Sequence, residues 1–305
     1  MIAAGASAGV SAAFGAPIGG ALFSYEISKP NTFWTFSMLW RVFASCSITT
    51  FLLGIYFSLS SGKTFSLSDS AAVKFGSLDP GESSLLDIPA AIVIGLVCGL
   101  MGSFFIFVNI KLGMYRKKYI TKNWQKITEA LLFAFVTSSL FFAVCLLRRD
   151  DCRNQPVNAS LETNYMKFRC TEENGYSSKS FNPLATLIFN TEGGSIRYLL
   201  DFPGALKTNV DESTVPVVDI SIYLAVWYGL TIITYGVWVP AGLFLPGILI
   251  GCSVGILYMD MLVYGFGMDI NKIGGQSYII IGATAMLAGY CRLTYSLAVI
   301  MLETT

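Results

Sequence analysis

The 305-residue chain contains no histidine. That removes the usual catalytic base, the commonest zinc ligand and the one side chain that ordinarily titrates near neutrality. Charge is scarce too. Asp, Glu, Lys and Arg make up 13% of the residues, where soluble domains run at about 25%. So little charge cannot cover a surface exposed to water, which excludes a soluble globular protein. The formal net charge is +1 and no basic stripe occurs, so no nucleic-acid partner is implied. None of the seven cysteines forms a Cys-x-x-Cys pair, and neither metal-ligand spacing nor a nucleophile motif is present. Nothing points to an enzyme, a metal or a cofactor. The start, Met1-Ile-Ala-Ala-Gly5-Ala-Ser-Ala-Gly9, lacks the charged leader of a secretory signal.

What remains is apolar: 54% of the residues are hydrophobic. About 20 apolar residues cross a bilayer as a helix. Membrane segments are expected at 3–26, 33–59, 88–113, 127–147, 217–235, 243–264 and 277–302, making an all-α polytopic membrane protein. The last segment is long enough to hold two short helices broken near Gly289-Tyr-Cys-Arg292. The stretch 183–200 reads as a short amphipathic or re-entrant helix. Five small-residue pairs, Gly5/Gly9, Gly15/Gly19, Gly95/Gly99, Gly247/Gly251 and Gly251/Gly255, have the spacing that lets helices approach closely in lipid. The chain opens inside one apolar helix and closes just after another, so a fragment of a longer protein is expected.

Charge sets the orientation. The connection 111–126 holds Lys111, Arg116, Lys117, Lys118, Lys122 and Lys126 without an acid, which places it in the cytoplasm. Alternation then puts 60–87 and the long loop 148–216 on the far side. That loop carries the glycosylation sequon Asn158-Ala159-Ser160. It also carries Cys152 and Cys170, which could bridge in an oxidising compartment. Cys46, Cys98, Cys145, Cys252 and Cys291 lie in apolar runs and read as small hydrophobes.

The most informative stretch is Gly236-Val-Trp-Val-Pro240-Ala-Gly242-Leu-Phe-Leu-Pro246-Gly-Ile-Leu-Ile-Gly251. It is apolar enough for a bilayer, yet its Pro and Gly break a helix in the middle. A helix that begins inside a membrane aims backbone N–H groups and the positive end of its dipole into a low-dielectric space. In a helix starting near Gly242, the amides of Leu243 and Phe244 are placed to hold an anion, and Pro246 suits the first turn because it has no N–H. Neutral amides bind an anion and still release it. The alternative is an ordinary Pro/Gly-kinked transmembrane helix. Glu26, at the cytoplasmic end of the first segment, is either a proton carrier or a helix-end acid that reaches water or pairs with Arg41.

Three stretches resemble the CLC family of voltage-gated chloride channels and chloride/proton antiporters. Gly5 to Glu26, with Gly15-Ala-Pro17-Ile-Gly19-Gly20-Ala-Leu-Phe23-Ser-Tyr-Glu26, looks like that family's GxPxGGxLFxxE helix pair. Gly242-Leu243-Phe244-Leu245-Pro246 matches its GxFxP motif, and Arg292 to Glu303 is similar to its late helix ending in Glu. The loop with Cys152, Cys170, Asn174-Gly-Tyr176 and Asn182-Pro-Leu-Ala-Thr-Leu-Ile-Phe-Asn190 resembles the eukaryotic endolysosomal branch.

The resemblance implies a CLC-type inverted-repeat helical bundle with broken and re-entrant helices. The end of the first repeat would fall at about 1–60 and most of the second at about 88–305. Upstream helices with two further chloride loops, and a C-terminal CBS pair, would lie outside the chain. It implies a multi-pass protein of an endosomal, lysosomal or vacuolar membrane, or of the plasma membrane. Lipid and chloride would be its partners, and a homodimer would form through helices matching 15–55 and 290–302. Chloride would sit on the amides at the middle of GxFxP. The family's antiporters read Glu-Glu at the position of Glu26, and the second Glu delivers protons from inside. Here that position is Ile27, as in channel members. The expectation is therefore chloride transport, with uncoupled flux ahead of proton exchange. A truncated non-transporting subunit is the third reading, and residues 1–305 alone are expected not to transport.

Overall fold

The computed structural model describes residues 1–28, 34–61, 87–154, 165–170, 180–208, 216–267 and 275–304. Among these, eleven α-helices and one two-stranded ribbon follow in order. They are α1 (Ile2–Phe14), α2 (Pro17–Ser28), α3 (Phe36–Ser61), α4 (Asp87–Tyr119) and α5 (Asn123–Leu147). Next come β1 (Arg153–Asn154), β2 (Ser180–Phe181), α6 (Pro183–Phe189), α7 (Glu192–Thr208), α8 (Val217–Thr234) and α9 (Phe244–Asp260). A π-helical turn, Met261–Gly265, extends α9, and α10 (Gly275–Cys291) and α11 (Tyr295–Thr304) close the order. Five helices are long and apolar enough to cross a membrane: α3, α4, α5, α8 and α9 with its π turn. The protein is an all-α, multi-pass membrane protein.

The chain divides into two compact units, residues 1–78 with 291–305, and residues 79–290. In the first, α1, α2, α3 and α11 pack together. The expected single segment 3–26 is two short helices. Gly15 adopts φ 66° and closes α1, with its N–H on the Ser11 carbonyl, and Pro17 opens α2. Gly at the end of one helix and Pro at the start of the next follow from the left-handed freedom of the first and the missing N–H of the second. Ser24 of α2 donates to the Ala3 carbonyl of α1 at 2.9 Å. Ala21, Val42 and Cys46 are buried at the centre, covered by Ala4, Trp34 and Phe43.

In the second unit, α9 is the centre. Of its most apolar stretch 67% is buried, against 11% for α5. A lipid-covered helix has no need of such burial, so α9 is an interior element and α5 a peripheral one. The cause is a row of small residues. A Cβ on Gly251 would meet the Ala283 Cα at 2.5 Å, and one on Gly255 would meet the Ile279 Cα at 2.7 Å. The backbones of α9 and α10 therefore touch. Likewise α4 crosses α10 where a Cβ on Gly102 would meet the Gly289 carbonyl carbon at 2.6 Å. Among the described residues, the expected pairs Gly5/Gly9 and Gly95/Gly99 make no such contact, since a Cβ at any of the four finds nothing within 4 Å.

The break expected near Gly289–Arg292 is present: α10 ends at Cys291, Arg292 takes φ 54°, and α11 starts at Tyr295. The stretch 183–200 is two helices. Asn182 caps α6 by accepting from the Ala185 N–H at 2.9 Å, and α7 starts afresh at Glu192. The connection read as 111–126 is mostly helix. α4 runs on to Tyr119 and leaves only residues 120–122 before α5.

At the other end of α5, Arg148 binds Asp219, which is fully buried, at 2.8 Å and also pairs with Asp151. The Arg148 carbonyl accepts from Asn182 at 2.9 Å. Burial works against the Arg148 cation, but the hydrogen bond and charge of Asp219, with those of Asp151, outweigh it and hold its pKa above the ordinary value. Cys152 is disulfide-bonded to Cys170, eighteen residues on. Asn158 lies outside the described residues.

Candidate functional site: a helix start inside the membrane domain

The segment singled out in the sequence folds as a break. α8 ends at Thr234, nine residues of turn and irregular chain follow, and α9 begins at Phe244. Leu243 is the N-cap and supplies no side-chain hydrogen bond. Gly247 is the first residue of the helix bonded back, donating to the Leu243 carbonyl at 3.0 Å, and Pro246 has no N–H to place. The leading turn thus presents main-chain amides, those of Leu243 and Leu245 included, for which the helix itself offers no acceptor. Gly242 is exposed, and a Cβ there would meet nothing within 4 Å. Leu243, Phe244, Leu245 and Pro246 are half-buried, whereas Gly247 to Cys252 are buried. A deeply packed helix therefore opens its positive end into space.

Two other helix starts are finished differently. At α2 the Glu303 carboxylate accepts from the Ile18 N–H at 3.1 Å and the Gly19 N–H at 2.7 Å. At α11 the Glu26 carboxylate accepts from the N–H groups of Thr294 at 2.9 Å and Ser296 at 3.2 Å, and from both hydroxyls. Glu26 ends α2 and Glu303 ends α11, so the two helices run antiparallel and each closes the other's start. α4, α7 and α8 carry Asp87, Glu192 and Asp219 in their own first turns. Among the described residues, α9 has no acid in its first turn and its N-cap residue, Leu243, makes no side-chain cap bond.

Sequence reasoning offered Glu26 as a proton carrier, or as a helix-end acid reaching water or Arg41. Both of its oxygens accept hydrogen bonds at the start of α11. Ile27, the next residue, is 52% exposed.

The residues that hold the turn before α9 were missed. Asn109 and Arg116 of α4 donate to carbonyls at the end of α8, and Glu129 of α5 pairs with Arg116 at 2.6 Å. In the sequence Arg116 was one positive charge among six, and only its lie between two apolar helices sets it apart. Among the described residues no three His, Cys, Asp or Glu side chains come together to hold a metal.

Helices long and apolar enough to span a bilayer, one of them starting after a Gly/Pro break with no side-chain cap from its N-cap residue, define a multi-pass membrane protein. The comparisons narrow it. The voltage-gated chloride channel family model matches residues 1–305, so the chain belongs to that family, the CLC proteins. It is 35% identical over 308 residues to the H(+)/Cl(-) exchange transporter 7 of Mus musculus, covering 100% of this chain and 36% of that protein. It is 34% identical over 325 residues to chloride channel protein CLC-d of Arabidopsis thaliana, and 30% over 316 residues to chloride channel protein C of Dictyostelium discoideum. Those two matches cover the whole chain and 38% of each relative. The chain thus spans little more than a third of the length of these relatives.

Proposed function

We propose that this chain carries the second-repeat half of a chloride site in a protein that moves chloride across a membrane of the endosomal, lysosomal or vacuolar system. The observation that carries the reading is the start of α9. It is packed against α10 on one side, open at Gly242 on the other, and its N-cap residue, Leu243, supplies no side-chain bond. A dissolved anion supplies there what Glu303 and Glu26 supply to α2 and α11. Chloride fits because main-chain amides and a partial dipole charge attract a monovalent anion without trapping it.

Uncoupled flux is the reading for the transport mode. Ile27 stands where the family's antiporters keep their internal glutamate, and an aliphatic side chain carries no proton. Against Glu26 as its replacement stand the hydrogen bonds that both its oxygens accept at the start of α11, which favour the charged form. Support for exchange comes from the murine relative, which is named an H(+)/Cl(-) exchange transporter. A full-length protein containing this chain, reconstituted in chloride-loaded liposomes, decides between them when chloride efflux and external pH are recorded together. Efflux without proton movement is expected. Proton uptake driven by the chloride gradient would contradict the uncoupled reading, and no efflux at all would contradict both.

A further inference from the structure

The end of α8 and the start of α9 share one short connection, and their dipoles oppose each other. The last carbonyls of α8 carry partial negative charge, which repels an anion; the first amides of α9 carry the positive charge that attracts it. The structure quenches the first, while the N-cap residue of α9, Leu243, supplies no side-chain bond to quench the second. Arg116 is only 5% exposed. Its Nη1 donates to the Tyr235 carbonyl at 2.9 Å and its Nη2 to the Ile233 carbonyl at 2.5 Å. Asn109 adds its amide to the same end, donating to Tyr235 at 3.0 Å and to Ile232 at 3.4 Å. The third direction of the guanidinium goes to Glu129, itself nearly buried, at 2.6 Å. The pair is therefore neutral as a whole. It satisfies the carbonyls without setting a full positive charge beside the connection.

The same groups fix where the connection runs. Gly236 leaves α8 at φ 89°, and a Cβ there would come within 3.3 Å of Arg116 Nη1. Lys126 of α5 sits 3.8 Å from the ring centre of Trp238. Tyr235, Gly236 and Trp238 are thus all held from α4 and α5, six to nine residues before α9 starts.

We infer that Arg116, with Asn109 and Glu129, is a positioning and charge-balancing group for the anion site at α9, acting through the end of α8 and not by touching the anion. This rests on the reading of α9 as a chloride site. The test uses the full-length protein containing this chain, in detergent. Chloride affinity is measured by titration calorimetry, and unfolding is followed in chloride-free buffer. Asn109→Leu and Arg116→Lys each remove part of the cap while leaving Glu129 answered or distant from the change. The double variant Arg116→Met with Glu129→Met removes the buried pair without stranding a charge.

The expected result is chloride binding weakened about three- to tenfold in each folded variant, the range that a lost helix-end interaction sets. Asn109→Leu should lose least. A lowered unfolding temperature with unchanged affinity in the folded protein would overturn the inference, since a purely structural role gives that pattern. Absence of chloride binding in the unsubstituted protein would overturn both the anion site and this inference. Binding in the unsubstituted protein that the variants retain overturns only the inference.

Discussion

Set side by side, the α2/α11 pair and α9 solve the same problem in opposite ways. Each starts with amides that need an acceptor. α2 and α11 take theirs from the protein: Glu303 and Glu26, one from the end of each helix, close the other's start. Their stability lies partly in those caps. α9 gets no cap from its N-cap side chain and is held by packing, through Gly251 and Gly255 against the backbone of α10. A helix anchored along its length can leave its first turn unfilled. For the proposed anion site the difference matters: a start left open to an anion needs a tightly packed body, without which it would fray.

The largest expected effect comes from giving α9 the device of the other two. Leu243→Asp places a carboxylate at its N-cap, in competition with any dissolved anion. Chloride affinity in calorimetry should fall on the order of 30-fold or more, the equivalent of about 2 kcal/mol at a partly buried helix end. Leu243→Asn, a cap without the charge, should fall less.

Next comes the packing that lets α9 do without a cap. Gly251→Ala drives a methyl into the α10 backbone and should destabilise by about 1–3 kcal/mol in thermal unfolding. Gly95→Ala, in open space, should be neutral or slightly stabilising. The α2/α11 caps follow in size. Glu303→Ala should cost about 1 kcal/mol of stability, and Glu26→Ala, which also strands the Ser296 hydroxyl, up to about 2 kcal/mol. Neither should shift chloride affinity. The smallest effect belongs to Gly242→Ala. With nothing within 4 Å it should change stability by less than about 0.5 kcal/mol, and any larger loss of chloride affinity would mark the space beside Gly242 as the place the anion occupies.

Much of the fold was legible in the sequence, for local reasons. The bounds expected for α8 and α9 fall within a few residues of those observed, because Gly236, Pro240, Gly242 and Pro246 punctuate the chain. Arg292 marks the break before α11 in the same way. Hydropathy gave the first segment as one span, 3–26, because apolar residues run through Gly15-Ala16-Pro17 without a polar gap; only the resemblance implied a helix pair. The signal for two helices, Gly followed by Pro, was there but gave no hydropathy minimum.

Spacing alone could not say which glycine pairs pack. Gly95/Gly99 and Gly251/Gly255 look alike in sequence, and only the burial of α9 separates them. The reciprocal caps join residues more than 260 positions apart, and no local pattern announces them. Arg116 was visible only as charge, since its role depends on carbonyls contributed by a helix over a hundred residues later.

The most direct measurement is diffraction from crystals of the full-length protein soaked in bromide, collected at the bromine absorption edge. The account predicts an anomalous peak at the first turn of α9, against the amides of Leu243 to Leu245. It predicts none at the starts of α2 and α11, where Glu303 and Glu26 already sit. A vacant α9 start, or a bromide displacing Glu303 or Glu26, would contradict it.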